Sequence, residues 1–397
     1  MLQLDAVQTL ALAGIALFLG YALCRVIPVL GRYNLPPPVI GGLVFAIAAW
    51  IAYERDTVLF ELDTSLQSPL MIAFFTTIGI NASLKLLRIS GRQVVVFLVL
   101  ATIFAVAQNL LGMAVAVGFD LHPLFGVLAG STTLTGGPAT GLAFAPLFEA
   151  AGVQGAESIA VAAAMAGIVI GGLIGGPVIT LLIRRFQLVS TRPQDHHAPD
   201  FAEATAAQTE AEREYGALKS IVVILVAMWA GAWVSGLISA TGVTLPAYVG
   251  AMLVGALIRN IDDFTGLIRM SVPTIELIGN VCLALFLSVA LMNLKLWELA
   301  GLAMPLLVNL GLQALMVAAF CLVVFRVMGR DYDAAVMGGG FIGFMLGTTA
   351  NAMAVMRTLV ERYGAAPRAF LVAPLVGAFF IDFSNALIIT GFINFFR

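Results

Sequence analysis

The sequence predicts an all-α polytopic membrane protein, built as two inverted-topology repeats of five transmembrane helices with one re-entrant hairpin in each. Its composition, the positions of its basic residues and an internal repeat lead to this prediction. Of the 397 residues, 61% are hydrophobic and 11% are charged, and the mean hydropathy is +1.02. A water-soluble chain of this length needs a more polar surface. Lipid is the solvent that explains recurrent apolar runs of about 20 residues.

Apolar runs that suit a membrane crossing occur at ten places along the chain. The first run follows Asp5 rather than a basic stretch, which favours a membrane helix over a cleaved signal peptide. Two runs, 37–53 and 244–258, are short for a full crossing. The ten predicted segments are 6–24, 37–53, 69–87, 94–118, 158–183, 220–240, 244–258, 272–294, 299–325 and 369–395.

The basic residues test this topology. If all ten segments cross and the N-terminus is outside, 17 of the 20 Lys and Arg residues lie inside, and only Arg55, Lys295 and Arg397 lie outside. This split follows the positive-inside rule, and it would largely vanish if the two short segments did not cross. We therefore expect both to cross and both termini to lie on the outer face.

The stretch 186–218 is rich in acidic residues and poor in large apolar ones. It predicts a cytoplasmic linker, helical near 202–216, between an N-terminal repeat, 1–185, and a C-terminal repeat, 219–397. His196 and His197 lie in this linker, where a solvated pair is favoured over a metal site.

An internal repeat joins the two halves at a shared offset of 210 residues. Because five crossings is an odd number, the second copy is inserted in the opposite orientation, a plan that many secondary transporters use around a midplane site. The matches at this offset are Leu35-Pro36 with Leu245-Pro246, Leu84-Lys85-Leu86 with Leu294-Lys295-Leu296, and Gly137 with Gly347.

The stretch 122–148 is apolar at both ends and polar in the middle. Each apolar arm spans about half of the hydrocarbon core, which predicts a re-entrant hairpin with its tip near the membrane centre. Pro138 suits the start of the second arm, whose exposed amides would face an anion. The alternative is a kinked helix packed through small residues. The candidate substrate ligands are Thr135, Gly136, Gly137, Pro138 and Thr140.

A second glycine-rich stretch, 334–356, occupies the equivalent place in the other half and predicts a hairpin that enters from the cytoplasmic side. Its glycines recur every four residues, which is also typical of close helix packing. The candidate substrate ligands here are Gly347, Thr348 and Thr349.

Asp382 lies near the centre of the last predicted segment. An ionised carboxylate there costs about 3 kcal/mol on insertion scales, which predicts a cation ligand or coupling residue. A structural hydrogen bond to a neighbouring helix is the alternative. Asn385 lies on the same helical face. The candidate sodium ligands are Asp382, Asn385, Asn351 and Ser131.

Together these stretches resemble the bacterial sodium/glutamate symporters, the ESS family. The resemblance implies sodium-coupled glutamate uptake across the bacterial inner membrane by alternating access, with an elevator-like movement of a transport domain against a scaffold. It also implies a homodimer, with sodium as the coupling ion and no cofactor. The matching stretches are 35–39 with Gly41 and Gly42, 78–82, 130–137, 171–177, 294–299, and 377–382 with Asn385 and Ala386.

The sequence departs from the family at one tip, where the common Gly-Gly-His-Gly is replaced by Gly136-Gly137-Pro138-Ala139. L-glutamate is the expected substrate, and another dicarboxylate or amino acid is the alternative. The net charge of −2 indicates no nucleic-acid partner. An ion channel is a rival from another class, but the repeat within one chain argues against it. An enzyme is disfavoured because the chain has no HExxH or GxSxG motif.

Overall fold

The computed structural model describes residues 2–55, 60–89, 91–190, 210–299 and 301–396. These residues are overwhelmingly helical. The first half contains α1 (Ala6–Val26), α2 (Pro28–Arg32), α3 (Pro37–Tyr53), α4 (Gln67–Asn81), α5 (Leu84–Ile89), α6 (Arg92–Gly118), α7 (Pro123–Val127), α8 (Gly137–Ala150) and α9 (Ala156–Arg185). The second half contains α10 (Glu210–Ser239), α11 (Ala247–Thr265), α12 (Val272–Met292), α13 (Ala303–Val327), α14 (Tyr332–Met345), α15 (Thr349–Tyr363), α16 (Pro367–Leu375) and α17 (Ile381–Phe396).

Six of the described helices are long and apolar enough to cross a membrane, namely α1, α6, α9, α10, α12 and α13. The pair α16 and α17 is a seventh candidate, bent by 40° between its two parts. The prediction of a polytopic helical membrane protein is therefore confirmed. Helix α3 is apolar but short, and the crossings of α3 and α11 stay predictions.

Two features differ from the all-helical prediction. Leu2–Leu4 and Phe60–Leu62 form a small parallel pair of strands, β1 and β2, which ties the start of the chain to the loop after α3. The predicted segment 69–87 is also broken, because α4 ends at Asn81. The Asn260 side chain from α11 stabilises the break: its amide donates to the Ala82 carbonyl oxygen at 3.0 Å, and its oxygen accepts from the Leu84 amide at 2.8 Å.

The predicted linker is described only at its ends. Helix α10 is described from Glu210 and runs without a break to Ser239, so residues 210–216 of the helix expected near 202–216 are continuous with the following membrane segment. Residues 191–209, with His196 and His197, lie outside the described residues.

The helices pack as two bodies. Helices α1, α3, α4, α10, α11 and α12 form one, which we call the six-helix body, and α6–α9 with α13–α17 form the other, the hairpin body. Glycines allow close helix pairs within the six-helix body. A Cβ at Gly20 of α1 would collide with the Pro37 carbonyl oxygen of α3, and one at Gly231 of α10 would collide with Ala251 of α11.

The densest aromatic packing lies in the hairpin body around Phe341 of α14. Its ring centroid is 5.3 Å from that of Phe104, 5.6 Å from those of Phe320 and Phe344, and 5.8 Å from that of Phe97. These rings come from α6, α13 and α14 and are buried or nearly so. The second glycine-rich stretch is therefore held inside a rigid core rather than on a surface.

Candidate functional site

Two helix breaks face each other in the hairpin body. In the first half, the chain leaves α7 through a wide turn at Leu128–Thr132, where Gly130 has non-helical backbone angles, and re-enters a helix at Gly137. In the second half, α14 ends at Met345 and α15 begins at Thr349. These breaks fall in the middle of the stretches 122–148 and 334–356.

The tips of the two breaks touch. A Cβ placed on Gly137 would lie 3.7 Å from the Gly347 carbonyl oxygen. The Thr135 hydroxyl lies 3.3 Å from the Met345 sulfur and donates to the Gln108 side-chain oxygen at 2.6 Å. The Gln108 amide in turn donates to the Met345 carbonyl oxygen at 2.9 Å. Thr135 and Met345 are 210 residues apart, the same separation as the repeat.

A cavity of about 510 Å³ opens beside these tips, between the two bodies. This volume is in the range of small-molecule sites. The hairpin body lines it with both tips and with Asp382, and the six-helix body lines it with Pro36, just before α3, and with residues of α4 and α12. Of the eight predicted substrate residues, seven line this cavity: Thr135, Gly136, Gly137, Pro138, Gly347, Thr348 and Thr349.

The hydrogen bonds at the tips indicate which groups remain for a ligand. The Thr135 hydroxyl is committed to Gln108, and the Thr349 hydroxyl donates to the Gly377 carbonyl oxygen at 2.6 Å. Helix α8 has no side-chain N-cap, and the α8 and α15 N-termini both line the cavity. The first amides of a helix attract anions. The tips therefore present backbone donors to the cavity.

Thr140 is the predicted substrate residue that the cavity does not include. It is buried, and it packs behind Gly136, where a Cβ would lie 2.5 Å from its own. Thr140 therefore belongs to the wall behind the tip.

The four predicted sodium ligands lie in three places. Asp382 lines the cavity, and none of the ion pairs among the described residues includes it. Asn385 and Ser131 lie together behind the tip, where the Asn385 amide donates to the Ser131 carbonyl oxygen at 2.9 Å. Asn351 instead faces α9 and donates to the Ile168 carbonyl oxygen at 3.0 Å. Asn351 is therefore not among the residues that line the cavity beside Asp382, and its role as a sodium ligand stays a prediction.

Buried amide side chains hold the first break in place. Asn109 accepts from the Ser131 amide at 2.9 Å, Asn309 donates to the Ala129 carbonyl oxygen at 2.6 Å, and Gln313 donates to the Gln108 carbonyl oxygen at 2.8 Å. Side-chain oxygens of four buried residues in this region lack a hydrogen-bond partner: Ser131, Thr132, Gln313 and Asn385. Unpaired oxygens in a dry site are suited to a bare cation.

Comparison with known proteins decides the family. The family model described as sodium/glutamate symporter matches residues 2–365. A sodium/glutamate symporter of Haemophilus influenzae is 40% identical over 388 residues, which cover 96% of this chain and 95% of the relative. The sodium/glutamate symporters of Escherichia coli and Shigella flexneri are each 41% identical over 394 residues, covering 98% of this chain and 97% of the relative.

The chain belongs to the sodium/glutamate symporter family. The resemblance inferred from the motifs is thereby confirmed, and the chain is a multi-pass transporter rather than an enzyme. The family match does not by itself assign the residues around the cavity.

In this symporter the six-helix body contributes four polar cavity residues that the sequence did not point to. They are Thr77 and Asn81 of α4 and Glu276 and Asn280 of α12. The signal for Glu276 was present, because it is an acidic residue within the predicted segment 272–294, as Asp382 is within the last one. An acidic residue in an apolar segment does not indicate which helices face the cavity, because that depends on tertiary packing.

Proposed function

We propose that this protein takes up L-glutamate together with sodium across the bacterial inner membrane by alternating access. The observation that carries the proposal is the cavity between two bodies, with the amide ends of two broken helices on one wall. The relatives that cover nearly the whole chain are named sodium/glutamate symporters. Sodium is the coupling ion, and the site needs no other cofactor.

The frame of this transporter is a pair of inverted repeats, 1–185 and 219–397, whose re-entrant hairpins enter from opposite sides. Three observations support the symmetry. The packing of α1 on α3 has its equivalent in α10 on α11, and that of α3 on α12 has its equivalent in α11 on α4. Thr135 contacts Met345, which is its equivalent residue at the repeat offset. A two-fold relation of this kind puts the tips at the midplane. Both termini lie outside, as the positive-inside rule requires.

Transport consists of the hairpin body moving as a transport domain against the six-helix body, in the manner of an elevator. Few of the described elements join the two bodies, and hydrogen bonds between described residues link them at Ser158 and at Asn394. The Ser158 hydroxyl donates to the Lys295 carbonyl oxygen at 2.8 Å, and Asn394 exchanges hydrogen bonds with the Thr244 backbone at 2.6 and 2.8 Å.

The predicted topology assigns a state to this arrangement. Both hydrogen-bonded contacts fall on the outer side, whereas the cavity reaches Pro36, Asn81 and Glu276, near the cytoplasmic ends of α3, α4 and α12. The structure then corresponds to an inward-facing conformation, in which the cavity at the tips opens toward the cytoplasm.

Sodium coupling uses Asp382 in the cavity and the Ser131–Asn385 pair behind the tip. A cation beside an anionic substrate lowers the cost of carrying that anion through a low dielectric. The membrane potential adds about 2.3 kcal/mol per net positive charge per 100 mV. Asn351 stays a weaker candidate, because its amide is engaged by α9. The functional unit is a homodimer embedded in the lipid bilayer.

Uptake of labelled L-glutamate into proteoliposomes tests this function. An inward sodium gradient should drive accumulation above the external concentration, and an inside-negative potential should increase it. Equal uptake with sodium and with choline would exclude sodium coupling. Competition by unlabelled amino acids and dicarboxylates in the same assay separates glutamate from the alternative substrates, and bilayer conductance separates a transporter from a channel.

A further inference from the structure

Apart from Asp382, the candidate sodium ligand on the hairpin body, the two walls of the cavity carry opposite hydrogen-bonding chemistry. The hairpin body presents the first amides of α8 and α15, which are donors. The six-helix body presents the Glu276 carboxylate and the Asn81 and Asn280 side chains, all of which contain acceptor oxygens. The Asn81 side-chain oxygen is shielded from solvent and has no hydrogen-bond partner among the described residues.

Glu276 is an unpaired charge inside this wall. It is partly buried on α12, one turn into the helix, and none of the ion pairs among the described residues involves it. The described residues that line the cavity include no Lys, Arg or His. A partly buried carboxylate is stabilised by a neighbouring cation, and because the described cavity residues supply none, we expect a cationic group of the substrate to fill this role.

From this arrangement we propose that Glu276, with Asn81 and Asn280 beside it, forms the subsite for the α-ammonium group of an amino-acid substrate. The inference rests on the proposed function and extends it. The two carboxylates of the substrate face the helix N-termini on the hairpin body, and the ammonium group faces the acceptors on the six-helix body. A dicarboxylate without an amino group would leave Glu276 unpaired and would meet like-charge repulsion from it.

The ammonium subsite lies on the six-helix body alone, so the complete substrate site spans the two bodies. The donors move with the hairpin body, whereas Glu276 belongs to the six-helix body. The ammonium contact therefore exists only in arrangements that bring the tips opposite α12, as in this structure. In the predicted topology this arrangement is open to the cytoplasm, so the amino group of the substrate is recognised in the inward-facing conformation.

The test compares L-glutamate with glutarate, which is the same molecule without the amino group. Dissociation constants of both are measured by calorimetry on purified protein at saturating sodium, for wild type, Glu276→Gln and Glu276→Asp. Wild type should bind glutamate at least 10-fold more tightly than glutarate. Glu276→Gln should weaken glutamate binding about 10-fold and leave glutarate equal or tighter. Glu276→Asp, which keeps the charge, should retain most of the preference.

Glu298→Gln is the matched control, because Glu298 is a carboxylate on the outer side, remote from this cavity. It should leave the glutamate-to-glutarate ratio unchanged. Asn280→Ala is the second variant, and it should reduce the same ratio without altering the charge.

Three results would overturn the inference. The first is an unchanged ratio in Glu276→Gln, and the second is a wild type that binds both compounds equally. The third is a shift in the sodium dependence of Glu276→Gln at constant ratio, which would make Glu276 a sodium ligand. None of these three results contradicts sodium-driven glutamate uptake by the wild-type protein. Absence of that uptake in wild type instead overturns the proposed function, and the inference with it.

Discussion

At the scale of single residues, Gly137 combines a contact with a special backbone conformation. Its φ of +68° lies in the left-handed region, and it stands where the first tip meets Gly347. Space is not the constraint, since a Cβ there would be at an ordinary 3.7 Å from the nearest atom. The backbone conformation is the constraint, because residues with a Cβ adopt it at a cost of about 1–2 kcal/mol.

Gly137→Ala should therefore destabilise the protein by about 1 kcal/mol and reduce glutamate uptake, because the tip must distort or move away from Gly347. Thermal unfolding in detergent and proteoliposome uptake measure the two effects. Gly176→Ala is the matched control. Gly176 lies in α9 with nothing within 4 Å of an added Cβ, so the substitution should be neutral or slightly stabilising. Equal effects of the two substitutions would contradict the argument.

Asp382→Asn tests the coupling role of the cavity carboxylate. Loss of one charge-assisted contact costs about 1.5–3 kcal/mol, which corresponds to sodium binding roughly 10- to 100-fold weaker. The sodium concentration for half-maximal uptake should rise accordingly. Glu361→Gln, an exposed position on α15, serves as the control and should behave as wild type. An unaltered sodium dependence in Asp382→Asn would remove Asp382 from the site.

At the scale of elements, the first break depends on a hydrogen-bonded frame supplied by other helices. Asn109 of α6 and Asn309 of α13 bind the backbone on either side of Gly130, where the chain leaves the helical path. Backbone N–H and C=O groups that a helix break leaves unpaired cannot bind water inside a membrane, so side chains must form hydrogen bonds with them. The amide residues in apolar helices are therefore the supports of the tip.

Asn309→Leu should destabilise the protein by about 1–3 kcal/mol, because the Ala129 carbonyl oxygen becomes a buried acceptor without a donor. Substrate affinity should fall as well, since the tip loses its support. Leu315→Met on the same helix is the control, because Leu315 is 69% exposed and faces away from the core. Detergent unfolding curves give the first effect and glutamate calorimetry the second. An Asn309→Leu protein as stable as the control would mean that water replaces the amide.

The sequence predicts where helices begin and end better than it predicts which residues of each helix line the cavity. Hydropathy places most helices within a few residues, because a membrane crossing is a local property of about 20 residues. The helix breaks fall within the stretches 122–148 and 334–356 because a polar or glycine-rich centre inside an apolar stretch is visible in the sequence alone. Asp382 and Asn385 share a helical face, yet only Asp382 lines the cavity, because the neighbours of each are set by packing. Glu276 and Asn309 were missed for the same reason.

At the scale of the whole molecule, the proposed movement of the two bodies should be blocked most easily at the seam near Lys295, on the predicted outer side. Gly155, before α9, packs against Glu298, and a Cβ at Gly155 would lie 3.2 Å from the Glu298 Cβ. This separation is shorter than the usual Cβ–Cβ distance of a disulfide, and Gly155 has a left-handed φ of +66°, so a cysteine there carries the same backbone strain as a substitution at Gly137. A cysteine pair at the two positions can join the bodies once the backbone adjusts, and thermal unfolding of the single Gly155→Cys variant measures the stability cost of that strain.

The double variant Gly155→Cys with Glu298→Cys should lose uptake on oxidation and recover it on reduction, because the cross-link holds the two bodies together at this seam. Cys24, Cys282 and Cys321 are first replaced by serine or alanine, which leaves the pair as the only thiols. Each single variant, oxidised in the same way, is the control and should keep its activity. Full uptake by a completely cross-linked protein would rule out movement at this seam.

The hydrogen bonds between the two halves also set an order of assembly during synthesis. Gln108 donates to Met345, and Ser131 accepts from Asn385, so polar groups in the first half find their partners only after most of the chain has been made. Until then those groups sit in the bilayer with substitute partners, such as lipid headgroups or trapped water. The ribosome has nearly finished before the first tip can reach its final form, and the interval leaves the nascent chain open to membrane chaperones and proteases.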